Sequence, residues 1–205
     1  MFGHVLVLGG GIGMGGAPRL TAYAAARTGS GLISIGTTLD NAVVDHHYPE
    51  LMVHALSQKE DLDPLLKKST VVALGPGLGQ TDWGKWIFAA SVESSRPKVI
   101  DADALNLLAV SPRKIENSVL TPHPGEAGRL LGISTADIQK DRFAAVEALH
   151  RKYNSVIVLK GSGTLVFDGN EVPTIIQTGN PGMATGGMGD LLTGIISGLI
   201  AQGLP

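Results

Sequence analysis

The chain has 205 residues, a net charge of −2, a hydrophobic content of 43% and no cysteine. This length suits one large α/β domain, and the lack of cysteine excludes disulfides, thiolate zinc sites and a cysteine nucleophile. No apolar run approaches the ~18 residues of a membrane span, no signal peptide is visible, and no basic block would bind nucleic acid. We therefore expect a cytoplasmic protein that binds neither nucleic acid nor a membrane.

The first predicted strand, His4–Leu8, leads into a glycine-rich loop and then a helix over residues 17–27. Strand, glycine-rich turn and helix is the geometry that holds the phosphates of a dinucleotide. Gly11, Gly13 and Gly16 nearly match the G-x-G-x-x-G fingerprint, but no acidic residue stands clearly at the expected distance. A tight turn between strand and helix is an equally good interpretation.

Two further strands are predicted over residues 32–37 and 51–56, with His46 and His47 between them. Adjacent residues on a regular element point in different directions, so both rarely bind one ion. No thiol or acidic cluster accompanies them. We interpret this pair as part of a surface loop.

The central predicted strands both end in glycine-rich or polar segments. The strand over residues 70–74 leads into GPGLGQ, and the strand at residues 99–100 leads into DADALN. In an open parallel sheet the loops at the carboxyl ends of the strands bind the ligands. We expect Asp101 to cap the following helix, whereas Asp103 and Asn106 could face a ligand.

The strand over residues 119–121 leads into TPHPGE, in which two prolines stiffen the loop around His123. A loop histidine and a first-turn helix acid are ordinary interpretations of His123 and Glu126. One long helix is predicted over residues 137–153. The strand after it ends at Lys160, which begins the segment KGSGT and could reach a nucleotide phosphate.

The last predicted helix begins in the loop TGNPGMATGGMGD and continues with large apolar residues at helical spacing. The free N–H groups and positive dipole end of such a helix attract an anion, typically phosphate. Asp190 is either an ordinary first-turn acid or a general base beside that phosphate. Gly194 and Gly198 lie one turn apart, which would let another backbone pack closely.

Strands and helices alternate along the chain, and most predicted strand ends carry glycine-rich, polar or proline-stiffened loops. This pattern predicts an α/β fold: a doubly wound, mostly parallel sheet with helices on both faces. All the polar chemistry would then lie at one edge of the sheet.

With these motifs, the chain resembles the ATP/ADP-dependent NAD(P)H-hydrate dehydratases, which are members of the ribokinase-like superfamily. The matching segments span nearly the whole chain and occur in the order GGGIGMGGAPRL, ALGPGLGQ, DADALNLLA, LTPHPGEAGRLLG, VLKGSGT and GNPGMATGGMGD. The resemblance is especially close to the dehydratase half of the two-domain bacterial repair enzymes. It implies a single ribokinase-like domain over residues 1–205 and a homotetramer.

The resemblance implies a lyase that repairs nicotinamide nucleotides. Such an enzyme uses ADP or ATP with Mg²⁺ to phosphorylate the C6 hydroxyl of the S epimer of hydrated NADH or NADPH, and phosphate then leaves. Bacterial relatives favour ADP as the donor. The ring nitrogen helps to expel the phosphate, which is a far better leaving group than hydroxide.

The resemblance also implies roles for individual residues. Asp190 would take the hydroxyl proton, the amides of Gly187 and Gly189 would bind the transferred phosphoryl group, and Glu126 would contact Mg²⁺ through water. The residues expected at the substrate are Ala17, Gly79, His123 and Asp190, to which we add Asp103 and Asn106. The residues expected at the nucleotide are Lys160, Gly161, Ser162, Gly163, Thr164 and Gly189.

The chain departs from the family pattern in three places. The usual epimerase half is absent, so we expect no interconversion of epimers. The sequence stops at Pro205, where family members continue with helices that pack on the last helix, so we expect the domain to lack them. His123 occupies the position where many ribokinase-like enzymes have the Asn of an N-x-x-E magnesium motif.

Two other functions are compatible with the same sequence features. A ribokinase-like kinase of the hydroxyethylthiazole or pyridoxal type would share the glycine–aspartate anion hole and release a phosphorylated alcohol. A catalytically impaired nucleotide-binding module would bind ADP or NAD(P)H without turnover.

Overall fold

The computed structural model describes residues 2–205, which form one mostly parallel sheet. Its strands are β1 His4–Leu8, β2 Leu32–Thr37, β3 Met52–Ala55, β4 Val71–Leu74, β5 Lys98–Ile100, β6 Ser118–Leu120, β7 Val156–Leu159, β8 Thr164–Phe167 and β9 Thr174–Ile176. The order across the sheet is β3-β2-β1-β4-β5-β6-β7-β8-β9. Strands β1 to β7 run parallel, whereas β8 and β9 pair antiparallel. The predicted fold class is confirmed.

Helices cover both faces of this sheet. They are α1 Gly16–Thr28, α2 Lys59–Lys68, α3 Asp82–Val92, α4 Ala102–Val110, α5 Pro124–Leu131, α6 Thr135–Lys140, α7 Arg142–Tyr153 and α8 Met188–Ala201. Val5 and Val7 of β1 pack in a core with α1 and α8, while Leu6 and Leu8 pack in a larger core with α2 to α7. Both faces of the central strands are therefore buried, as their continuous apolar sequences predict. Across residues 2–205, no helix is both long and apolar enough to span a bilayer.

Two helical regions differ from the sequence-based expectation. The single helix predicted over residues 137–153 is wrong, because the chain forms α6 and α7 with Asp141 between them at φ −145°. The Asp141 carboxylate accepts from the Ala144 N–H at 2.9 Å and starts the second helix. The sequence pattern also does not predict α2. Most of its residues are charged and Pro64 lies inside it, so the two buried residues, Leu62 and Leu65, do not give a clear helical pattern.

Helix α8 packs on α1 through its small residues. A Cβ atom added at Gly194 would overlap the carbonyl oxygen of Thr21, and one added at Gly198 would lie 3.0 Å from the Thr28 Cβ atom. The predicted close backbone packing at these glycines is thus confirmed. The large apolar residues of α8 are not the buried ones, since Ile195 and Leu199 remain 42% and 38% exposed.

Candidate active site

The glycine-rich loops after β1 and β4 meet where the order of successive strands across the sheet reverses. The chain leaves β1 toward β2 on one side and returns to β4 on the other, which is a topological switch point. The Gly10 N–H donates to the Pro76 carbonyl at 3.1 Å, and the Gly11 N–H donates to the Gly77 carbonyl at 2.6 Å. Ala17 and Gly79, both half-buried, flank this junction. The switch point is where open α/β sheets bind their ligands.

Asp101, at the end of β5, joins elements that are far apart in the sequence. Its side chain makes no capping hydrogen bond, so the expected helix-cap role is wrong. The buried carboxylate instead accepts from the Lys160 Nζ at 2.7 Å and from the Thr193 Oγ1 at 3.0 Å. Ala102, directly after it, has φ 49°, a strained value for a residue with a Cβ. Asp101 thereby fixes the ends of β5 and β7 and the first turns of α8 relative to one another.

Lys160 lies between two buried carboxylates. Besides its bond to Asp101, its Nζ is 3.8 Å from the Glu126 Oε2. Burial raises the pKa of Glu126 to about 6, although Lys160 and the His123 N–H oppose this shift. The ammonium group retains a donor that can reach a phosphate, because it has three N–H bonds.

His123 and Glu126 cap α5 reciprocally. The His123 Nδ1 accepts from the Gly125 and Glu126 N–H groups at 3.0 and 3.3 Å, and the Glu126 carboxylate accepts from the His123 N–H at 2.7 Å. Since Nδ1 is an acceptor, the ring proton lies on Nε2. Burial, Lys160 and Arg129 lower the pKa of His123 against the opposing charge of Asp101, which favours the neutral ring. His123 is thus the N-cap and Glu126 the first-turn acid of α5, and the half-exposed imidazole also has its Nε2 3.5 Å from the Glu126 Oε1.

The first turn of α8 lies against the Lys160–Asp101 pair. Gly187 is the N-cap residue directly before the helix and has φ 89°, a left-handed value that favours glycine. A Cβ atom added at Gly189 would lie 3.4 Å from both the Asp101 Oδ2 and the Lys160 Nζ. The predicted phosphate-binding amides and the predicted phosphate-binding ammonium are therefore neighbours.

Asp190 is the carboxylate that starts this helix. Burial and then the negative charge of Asp101 raise its pKa to about 6, while Lys160 opposes the shift. Within residues 2–205 its side chain has no hydrogen-bond partner, in contrast to Asp101. A half-buried, unpaired carboxylate with a pKa near neutrality has the properties of a general base.

Arg142, at the start of α7, holds the backbone of the KGSGT loop by hydrogen bonds. Its Nη1 donates to the Ser162 carbonyl at 2.6 Å, and its Nη2 donates to the Leu159 carbonyl at 3.1 Å. Gly161 and Gly163 take φ values of 145° and 65°, so the loop needs glycine at both positions. Arg142 is absent from the sequence-based predictions, because nothing in its own segment indicates that it folds onto this loop.

Asp103 and Asn106 lie farther along the same edge of the sheet. The Asp103 Oδ2 accepts from the Gly79 N–H at 2.8 Å, so this carboxylate fixes the loop after β4. The Asn106 Nδ2 is 3.5 Å from the other Asp103 oxygen, and the Asn106 Oδ1 accepts from the Arg129 Nε at 2.7 Å. Asn106 borders an open cavity, whereas Asp103 acts on the protein's own backbone.

The arrangement fits a nucleotide-borne Mg²⁺ rather than a cation held by protein alone. Among residues 2–205, no group of three or more His, Cys, Asp or Glu side chains could hold a metal ion. Mg²⁺ usually keeps several waters and binds one or two carboxylates together with substrate phosphates. Glu126, the residue expected to contact this ion through water, lies beside Lys160, whereas both oxygens of Asp101 accept hydrogen bonds from Lys160 and Thr193.

Known proteins share this architecture. A family model described as NAD(P)H-hydrate dehydratase matches residues 5–205. The bifunctional NAD(P)H-hydrate repair enzyme of Coxiella burnetii is 54% identical over 204 residues, covering 99% of this chain and 42% of that protein. The ADP-dependent (S)-NAD(P)H-hydrate dehydratase of Neisseria meningitidis is 39% identical over 216 residues, covering 100% of this chain and 71% of that protein.

A solved structure of a protein with the same activity name has the same fold as this chain. The ADP/ATP-dependent NAD(P)H-hydrate dehydratase of Bacillus subtilis, co-crystallised with ATP/Mg²⁺ and soaked with CoA, superposes with a TM-score of 0.82 at 30% identity. The match covers 98% of this chain and 74% of the Bacillus chain. The chain spans about two fifths of the bifunctional relatives, at 42%, 39% and 41% of their lengths. Family model, sequence relatives and solved fold agree, and the chain belongs to the NAD(P)H-hydrate dehydratase family.

Proposed function

We propose that this chain dehydrates the S epimer of hydrated NADH or NADPH, with ADP or ATP as phosphoryl donor. The observation that carries the proposal is the convergence of Asp190, the first turn of α8 and the Lys160–Asp101 pair at one edge of the sheet. The names of the Neisseria and Bacillus relatives support the reaction and the donor.

Asp190 takes the proton of the C6 hydroxyl in this mechanism. Its raised pKa, about 6, leaves it ionised near neutral pH yet basic enough to accept a proton. The hydroxyl oxygen then attacks the terminal phosphorus of the nucleotide, whose bond to the bridging oxygen breaks. Phosphate subsequently leaves C6 with the bonding electron pair as the ring nitrogen lone pair forms a C6=N1 iminium. Loss of a proton from C5 then returns the pair to nitrogen and gives the C5=C6 double bond of NADH or NADPH.

The first turn of α8 stabilises the phosphoryl group as it moves. The N–H groups of Gly187 and Gly189 point out of a helix start, where they bind negative charge. Lys160 adds a positive charge from the β7 end, and Asp101 holds that ammonium in place. The neutral His123 offers its Nε2–H to the substrate.

Mg²⁺ would neutralise the charge of the nucleotide phosphates. We propose that Glu126 contacts this ion through water, because its Oε2 lies toward Lys160 and its carboxylate is buried at the site. Co-crystallisation of the Bacillus relative with ATP/Mg²⁺ supports the use of this ion.

The decisive test supplies S-NADHX, Mg²⁺ and either ADP or ATP, and follows the absorbance of the NADH that forms. We expect nucleotide-dependent recovery of NADH. Stable accumulation of a phosphorylated alcohol would instead identify a small-molecule kinase. Binding of ADP and NADH without any recovery would identify a nucleotide-binding module that has lost catalysis.

Asp190→Asn tests the proposed base directly. The amide keeps the shape of the carboxylate but cannot accept the proton, so turnover should fall at least about a hundredfold. ADP and NADH should still bind with near wild-type affinity in titrations. Turnover equal to that of the unaltered chain would remove Asp190 from the mechanism.

A further inference from the structure

An open cavity of about 470 Å³ lies beside the loop that follows β4. Its lining residues are Gln80, Asn106, Ala109, Val110 and Arg129. The lining combines one guanidinium and two amides with two apolar side chains, and Val110 is 80% exposed. A volume of this size is in the range that accommodates a nucleotide-sized ligand, about 300–1,000 Å³.

Arg129 is oriented in this cavity by a chain of hydrogen bonds. Its Nε donates to the Asn106 Oδ1 at 2.7 Å, the Asn106 Nδ2 is 3.5 Å from the Asp103 Oδ1, and the Asp103 Oδ2 accepts from the Gly79 N–H at 2.8 Å. Within residues 2–205 its Nη1 and Nη2 have no hydrogen-bond or ion-pair partner. An arginine fixed at Nε with both Nη atoms free presents a planar fork that matches phosphate oxygens.

We propose that Arg129 binds a phosphate group of the hydrated dinucleotide, with the adenosine portion of that substrate lying over Ala109 and Val110. The proposal rests on the proposed function and extends it to the half of the substrate that does not react. The hydrogen-bond chain ends at Gly79, a candidate substrate residue, so the cavity adjoins the substrate side of the site. Lys160, by contrast, is bonded to Asp101, and we assign its ammonium group to the nucleotide that donates the phosphoryl group.

Titrations of NADPH, NADH and ADP onto the unaltered chain and its variants test this assignment without requiring turnover. Arg129→Gln should weaken NADPH binding about tenfold or more, the usual effect of losing a charge-assisted hydrogen bond. ADP binding should change less than about twofold. Arg129→Lys should have an intermediate effect, since it keeps the charge but loses the fork. The matched control, Arg151→Gln, removes one exposed charge from α7 and should bind all three ligands as the unaltered chain does.

A second variant checks the cavity independently of Arg129. Val110→Asp places a negative charge at the exposed rim, where it should repel the same phosphate and weaken NADPH binding. The two dinucleotides distinguish the phosphate that is bound. Weaker binding of NADPH alone assigns the 2′-phosphate to Arg129, and equally weaker binding of NADPH and NADH assigns the pyrophosphate.

Three results would overturn the proposal. Unchanged NADPH and NADH affinity in a folded Arg129→Gln variant excludes the contact, and weaker binding of ADP alone makes the cavity part of the donor site. Failure of the unaltered chain to bind either dinucleotide also refutes it. A chain that binds the dinucleotides in the predicted manner but never converts S-NADHX would refute the dehydratase reaction and leave the Arg129 assignment intact.

Discussion

Asp190 carries a stability cost that is consistent with its proposed role as a general base. Its pKa is about 6 in the fold against an ordinary 3.8, so the folded chain holds the proton more tightly than the unfolded chain. Folding stability is thus unaffected below pH ~4, decreases as the pH rises from about 4 to about 6, and stays reduced above that range. Such a cost is expected where a functional carboxylate is left without a partner.

Asp190→Asn should therefore stabilise the protein near neutral pH while it abolishes the base. After discounting for the solvent that reaches this half-exposed group, we expect a gain of about 1 kcal/mol in the free energy of unfolding. Thermal denaturation should show a midpoint about 2–4 °C higher, and the gain should vanish below pH ~4. Asp82→Asn, which removes the exposed first-turn acid of α3, is the matched control and should not raise the midpoint. A lower midpoint for Asp190→Asn at neutral pH would contradict the assigned pKa shift.

Asp101 is predicted to position Lys160 and to tune the proton affinity of Asp190. We expect kcat/KM to fall below about pH 6, because Asp190 must be ionised to act. Asp101→Asn removes the negative charge that helps to raise this pKa, so the acid limb should move to lower pH and activity should drop as Lys160 loses its anchor. Thr193→Val removes the other hydrogen bond to Asp101 but leaves the Asp101 charge. The pH at which kcat/KM of this variant falls should therefore stay near the wild-type value. An unmoved limb in Asp101→Asn would limit Asp101 to a purely structural role.

The sequence indicates single residues of the site where a local motif surrounds them. Lys160 begins one glycine-rich segment and Asp190 ends another, and the backbone conformations there need glycine. Asp101 resembles an ordinary helix cap, because its partners are 59 and 92 residues away in the sequence. Arg142 is hidden in the same way, since its contacts to Leu159 and Ser162 form only when α7 packs beside β7.

At the level of elements, the α1–α8 contact holds the proposed catalytic helix in place through glycine. Gly194→Ala should destabilise the protein by about 2 kcal/mol or more, because the new methyl group would overlap the Thr21 carbonyl oxygen and the helices would have to separate. Gly198→Ala should cost less, since its nearest neighbour would be the Thr28 Cβ atom at 3.0 Å. Gly16→Ala, on the first residue of α1 with no atom within 4 Å, is the control and should be neutral or slightly stabilising. Chemical denaturation measures the series, and equal effects at all three positions would contradict it.

Helix α8 also shows what periodicity can and cannot predict. Its apolar residues recur at helical spacing, so the sequence predicts the helix correctly. Periodicity alone favours burial of the large side chains, whereas the structure buries Thr193, Gly194, Ser197 and Gly198. Close packing against α1 requires small residues, so the helix buries its face of small side chains and leaves part of its larger apolar face exposed. The sequence contains this information in the glycine spacing.

For the whole molecule, strand order and layer arrangement follow from alternation of the elements, but assembly does not. The predictions of a homotetramer, of a cytoplasmic location and of a domain that lacks C-terminal helices stay predictions. The fold offers one relevant observation: Ile195 and Leu199 remain 42% and 38% exposed on a single face of α8. Exposed apolar patches on folded domains commonly mark surfaces that another protein surface covers.

We expect the 205-residue chain to self-associate through this face of α8, although the family resemblance implies that further helices can pack on the same helix. Light scattering on the purified chain should give a mass above that of a monomer at micromolar concentration, and the double variant Ile195→Gln/Leu199→Gln should shift it toward the monomer. Phe143→Gln, which removes a 45% exposed apolar side chain from α7, is the matched control and should leave the mass unchanged. A chain that stays monomeric at every concentration would show that the exposed α8 face does not drive assembly. Loss of association in the control as well would show that general surface apolarity, rather than this face, is responsible.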